Sequence, residues 1–71
     1  MIIQLTNTNP EVRGEPIALN TDFIVSMREG KAKRDDGTSE DVTLIFCPPH
    51  GTWEVEEKLI DVLKTIKKKS I

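Results

Sequence analysis

Cys47 and His50 are the chain's only cysteine and only histidine, and they lie in one short stretch, Cys47-Pro48-Pro49-His50-Gly51-Thr52-Trp53, which also holds the only tryptophan. A thiol three residues from an imidazole has the composition of a nucleophile and its base, or of two metal ligands. A nucleophilic cysteine needs a base within reach and a third group to orient that base. The C-x-x-H spacing brings the two side chains together only if the intervening backbone curls back. Pro48 and Pro49 resist that curl, because a proline biases the residue before it away from the α region. Pro49 suits the second position of a β-turn, and Gly51 its fourth position or the corner. The stretch therefore predicts a hairpin turn, with Cys47 at the end of one strand and His50 at the exposed tip. One cysteine and one histidine cannot complete a four-ligand zinc site without carboxylates or a second chain. Phosphate-binding glycine loops, nucleophile elbows and H-E-x-x-H helices are absent from the 71 residues. Asp35, Asp36, Glu40 and Asp41 do not match a calcium loop. No catalytic residue, metal ligand or cofactor is assigned from these patterns.

The elements around this stretch follow from alternation and turn chemistry. Residues 2–6, IIQLT, predict a first strand, and Glu15 to Leu19 a second with Pro16 at its start or on a sheet edge. Asn20-Thr21-Asp22 is a compact turn. Phe23 to Glu29 alternates, placing Phe23, Val25 and Met27 on a core face and Ile24, Ser26 and Arg28 on the other. Residues 30–41 hold seven charges and one apolar side chain, and they predict a mobile hairpin loop. Val42 to Cys47 is apolar on both faces apart from Thr43, as befits a central or covered strand. Thr52 to Val55 returns as a fifth strand. Residues 56–69 predict a helix with Leu59, Val62, Leu63 and Ile66 in one stripe, opened by acids and closed by lysines.

The expected class is α+β: a small bent antiparallel sheet, or an open barrel, of about five strands with one C-terminal amphipathic helix, in a single domain spanning 1–71. Its predicted core is Ile3, Leu5, Ile17 and Leu19 from the first two strands, Phe23, Val25, Met27, Leu44, Phe46 and Val55 from the next three, and the helical stripe. Ile24, Ile45 and Trp53 are then left over. If they share an exposed face, that face needs a partner. With His50 they are the candidates for an interface.

A chain this short leaves much of its surface unburied and often gains stability from disulfides, metals or oligomerisation. A single thiol excludes an intrachain disulfide, so a homo-oligomer, dimeric or higher, is the expectation. Ten basic and twelve acidic residues give a net charge of −2, which argues against nucleic acid and membrane surfaces as partners. Lys31, Lys33 and Arg34 are nevertheless the candidates for contacts to a small anion, and the lysines near the C-terminus read as helix capping and solubility. The opening MIIQLTNTN lacks the basic and long apolar regions of a signal peptide, and a lone thiol fits a reducing compartment, so a cytoplasmic location is expected.

The order of these elements resembles a family. Met1-Ile2 with Leu5-Thr6, then Gly14, then Pro16-Ile17-Ala18-Leu19-Asn20-Thr21-Asp22-Phe23-Ile24 is similar to the opening of short flagellar-motility proteins of the FlbD/SwrD type. Thr43 to Phe46, Gly51, and Val55-Glu56-Glu57 running into Leu59 to Ile66 match the remaining elements. The chain departs in its longer loop at 8–13, in residues 30–41 and in the CPPH turn. The resemblance carries no catalytic residues. It implies a small non-enzymatic accessory protein acting through protein contacts. The alternative is a phage or mobile-element protein that binds a host protein or sequesters a small anionic ligand, and a third reading is an enzyme using Cys47 and His50.

Overall fold

The computed structural model describes residues 1–69. Five antiparallel strands form two sheets, followed by one helix, and the sheets do not close into a barrel. Strands β1 (Ile2–Thr6) and β2 (Pro16–Asn20) make a two-stranded sheet. Strands β3 (Ser26–Lys33), β4 (Ser39–Cys47) and β5 (Gly51–Val55) make a three-stranded meander with β4 in the centre. Helix α1 spans Leu59–Lys69. Pro16 opens β2 opposite Thr6, on an edge strand where its missing N–H breaks no ladder bond.

The core lies between the two sheets and under α1. It is built from Ile3, Leu5 and Leu19 on one side, Ile45, Cys47 and Val55 on the other, and Val62 from the helix. Ile17, Ile24, Met27, Trp53 and Ile66 pack around it, each partly buried.

Strand β4 faces the opposite way from the sequence expectation. Ile45 is fully buried, Leu44 is only half-buried, and Phe46 is 41% exposed. The reason is the cross-strand rows. Ile45 pairs with Met27 and Trp53, so its row is apolar throughout. Leu44 lies between Arg28 and Glu54, and Phe46 between Ser26 and Thr52. Neighbours on the adjacent strands decide which face is inner, and those are not adjacent in sequence. Thr43 shares the inner face because its hydroxyl donates to the Glu57 carbonyl at 2.6 Å.

Phe23 and Val25 also depart from expectation. The Asn20-Thr21-Asp22 turn does not stop at Asp22. Asn20 Oδ1 accepts from the Asp22 N–H at 3.0 Å, and a 3-10 turn runs over Thr21–Phe23. Phe23 is thereby part of a turn and is 64% exposed, and β3 starts only at Ser26. Val25 has the parity of Met27 but lies before the strand begins, where it is 66% exposed. On α1, Val62 is buried while Leu63, expected in the core stripe, is 46% exposed.

Residues 30–41 are strand for most of their length rather than a mobile loop. The β3–β4 ladder continues through Lys31↔Asp41 to Lys33↔Ser39. Only residues 34–38 turn, closed by Arg34 N–H to Thr38 O at 2.9 Å and by Gly37 at φ +87°. Gly30 leaves room for Leu44, whose Cδ1 would lie 2.8 Å from a Cβ placed there.

The inverted parity of β4 has a direct check in urea unfolding. Ile45→Ala should lower stability by about 2–5 kcal/mol. Phe46→Ala should cost no more than about 1 kcal/mol, as for a surface position. The reverse ranking would contradict the observed facing of the strand.

Candidate functional site

The β4–β5 turn forms where the prolines and Gly51 predict it, with Gly51 at φ +114° and a cis Pro48–Pro49 bond. Cys47 ends β4 inside the core, and burial pushes its thiol pKa up. His50 is exposed at the turn and stacks on Trp53, with ring centroids 3.9 Å apart and planes 14° from parallel. Cys47 and His50 border one groove of about 440 Å³, which Ala18, Asn20, Phe23 and Pro49 also line. A buried thiol with a raised pKa is poorly suited to nucleophilic work, which needs the thiolate. Among the described residues, no group of three or more His, Cys, Asp or Glu side chains is placed to hold a metal ion.

The residues expected at an interface do not share an exposed face. Ile45 is a core residue, and Trp53 sits next to it on the inner side of the sheet, half-buried. Ile24 also packs against the core. Only His50 of the four is exposed.

The apolar surface lies elsewhere, around Phe23 and Val25. A second groove, of about 420 Å³, runs between the start of β3 and α1. Val25, Met27, Leu59, Leu63 and Ile66 line it. Phe23 lines the first groove, and Thr21 and Ile24 on either side of it line the second. The Asn20–Val25 segment therefore forms the ridge between two apolar grooves. Sequence reasoning assigned Phe23 and Val25 to the core. The Asn20 and Asp22 turn chemistry immediately before them was the signal that the strand starts later.

The candidate anion contacts are mostly occupied by the protein's own carboxylates. Lys31 Nζ lies 2.8 Å from Asp41 on the facing strand, an exposed pair. Arg34 is largely buried and donates to Glu54 Oε1 at 2.8 Å, to Glu40 Oε2 at 3.0 Å and to the Thr8 carbonyl at 3.2 Å. Lys33 is exposed and borders a shallow depression with Arg13, Arg34 and Asp36. Arg13 grips Glu40 with both guanidinium nitrogens, one at 3.0 Å. Thr8 Oγ1 donates to Glu54 Oε1 at 2.8 Å. This network fastens the 8–13 loop onto the β3–β4 hairpin. The side chain of Lys69 lies outside the described residues.

The chain matches no protein-family model, and neither curated proteins nor solved structures show significant similarity to it. Among the described residues no helix is long and apolar enough to cross a membrane.

Two measurements check this arrangement. The hydrogen bond from Arg13, with that from Arg34, pulls the Glu40 carboxyl from its ordinary 4.5 to about 2. A carboxylate with a depressed folded pKa stabilises above its unfolded value, and that contribution is lost as pH falls through the folded one. Stability should therefore fall as pH drops from about 4.5 to about 2, and Glu40→Gln should remove that part of the slope. An NMR titration of the Glu40 carboxyl with its midpoint near 4.5 would contradict the network. For Cys47, alkylation at pH 7 should be slower than that of a free thiol by about tenfold or more, since burial limits both access and ionisation. Faster alkylation would revive it as a nucleophile.

Proposed function

We propose that this protein is a small non-enzymatic accessory module that acts through contacts with other protein surfaces. The observation that supports this reading is the ridge of Phe23 and Val25, both about two-thirds exposed and flanked by two apolar grooves. A contiguous exposed apolar surface on so small a domain is favoured when a partner covers it. The resemblance to the FlbD/SwrD type of motility protein points the same way, since it implies a contact-based role and no catalytic residues. A cytoplasmic location belongs to the same proposal. Capture of a small anion is the weaker reading, because Lys31 and Arg34 already hold Asp41, Glu40 and Glu54.

Site-specific photo-crosslinking tests the proposal in cells that carry the gene. Phe23 replaced by p-benzoylphenylalanine should give a discrete protein adduct on irradiation. The same probe at Gln4, exposed on β1, should give none. If Phe23 yields no adduct beyond that of the Gln4 control, the contact-based function is wrong.

A further inference from the structure

We infer that the open edge of β3 takes up an extended segment of another protein as an added antiparallel strand. The segment sets acidic side chains against Lys31 and Lys33 and an apolar one over the groove beside α1. The inference rests on the protein-contact reading above and names the kind of partner.

The backbone shows what the edge can hold. In an antiparallel ladder, residues that bond to the neighbouring strand alternate with residues that turn their N–H and C=O away from it. Arg34 N–H bonds Thr38 O at 2.9 Å, which fixes that alternation for β3. Arg28, Gly30 and Ala32 therefore bond β4, while Met27, Glu29, Lys31 and Lys33 turn their backbone groups outward. Among the described residues, no backbone bond reaches those outward groups. Unpaired groups in a row are a template for one kind of guest, an extended strand.

The other open edge is a poorer template. Thr21 N–H bonds Met1 O, and Asn7 N–H bonds Glu15 O. By the same alternation, Pro16, Ala18 and Asn20 are the outward positions of β2. Pro16 has no N–H to offer. Strand β2 is also five residues long, against eight for β3.

The side chains define the guest. Alternate residues of β3 share a face. At one end of that face Met27 lines the groove of about 420 Å³ together with Leu63 and Ile66. At the other end Lys31 and Lys33 are exposed. The Lys31–Asp41 pair is solvated on both sides and holds Lys31 only loosely. Among the described residues Lys33 makes no salt bridge. Opposite charges and apolar pairs stabilise across neighbouring strands, and like charges destabilise. A guest antiparallel to β3, the sense of every ladder in the fold, thus reads acid, x, acid, x, neutral, x, apolar. Its acids meet Lys33 and Lys31, its neutral residue meets Glu29, and its apolar residue lies beside Met27 at the groove. Main-chain bonds supply the affinity, and the alternating side chains supply the choice of partner.

An NMR titration of the full chain tests this. The probe is acetyl-Glu-Thr-Glu-Thr-Val-Thr-Val-amide, raised to about 1 mM. Saturable shifts should centre on the amides of Glu29, Lys31 and Lys33, and their exchange with solvent should slow by about tenfold or more. The same peptide with Lys in place of both Glu should bind about tenfold more weakly or worse. Lys31→Pro removes an outward N–H and leaves the ladder to β4 intact, so it should weaken binding more than Lys31→Gln does. No saturable shift overturns the inference. So do shifts centred away from β3, equal binding of the lysine peptide, or a folded Lys31→Pro that binds as wild type does. If Lys31→Pro does not fold, the slowed exchange in wild type decides. A Phe23 adduct in cells without peptide binding defeats strand addition and spares the contact-based function. Peptide binding without an adduct does the reverse.

Discussion

The two sheets share one core because the end of β1 is tied to the end of β5. There the chain has few backbone bonds to use. Asn7 bridges to Val55, Thr8 N–H donates to Glu54 O at 3.1 Å, and Glu56 N–H donates to Thr6 O at 3.0 Å. Side chains complete the seam. The Glu57 carboxylate accepts from the Thr6 N–H and the Thr6 hydroxyl, each at 2.9 Å. The buried Asn7 amide donates to Glu15 O at 3.1 Å. An unpaired polar group at such depth would cost about 1–3 kcal/mol, so these bonds are conditions for closing the core. Among the described residues, no buried side-chain nitrogen or oxygen lacks a partner.

That seam also explains the exposed ridge. Joining β1 to β5 leaves β2 and β3 as the free edges of an open structure, and Asn20 to Val25 must carry the chain from one to the other. The crossing segment is anchored at its start by Thr21 N–H to Met1 O and at its end by Val25 N–H to Phe46 O, both 2.9 Å. Between those anchors the backbone is committed to a 3-10 turn, and Phe23 has no layer above it. The ridge is a consequence of where the sheet is open, and the grooves on its two sides are the unfilled space of that opening.

Much of this was legible in the residues. The β1 and β2 positions, the centrality of β4, the CPPHG turn and the amphipathic helix all follow from local pattern and turn chemistry. The facing of β4 did not, because Leu44 and Phe46 look more apolar than Thr43 and Cys47. Only the rows through Arg28 and Glu54, and through Ser26 and Thr52, put them outside. Residues 30–41 looked like solvated loop because their charges were counted without partners. Lys31 has Asp41 opposite it, and Arg34 meets Glu40 and the distant Glu54, so strands form there. The buried Asn7 and Thr8 carry no local signal, since an Asn-Thr-Asn-Pro stretch reads as an exposed loop wherever it lies.

Native-state hydrogen exchange at the seam tests most directly whether the two sheets form one body. The amides of Thr8 and Glu56, which donate across the seam to Glu54 O and Thr6 O, should be protected to the same free energy as the amides of β4, because they open only when the whole core opens. Exchange at Thr8 and Glu56 as fast as in the 34–38 turn, with β4 still protected, would mean that the sheets open independently and that the seam does not hold the fold.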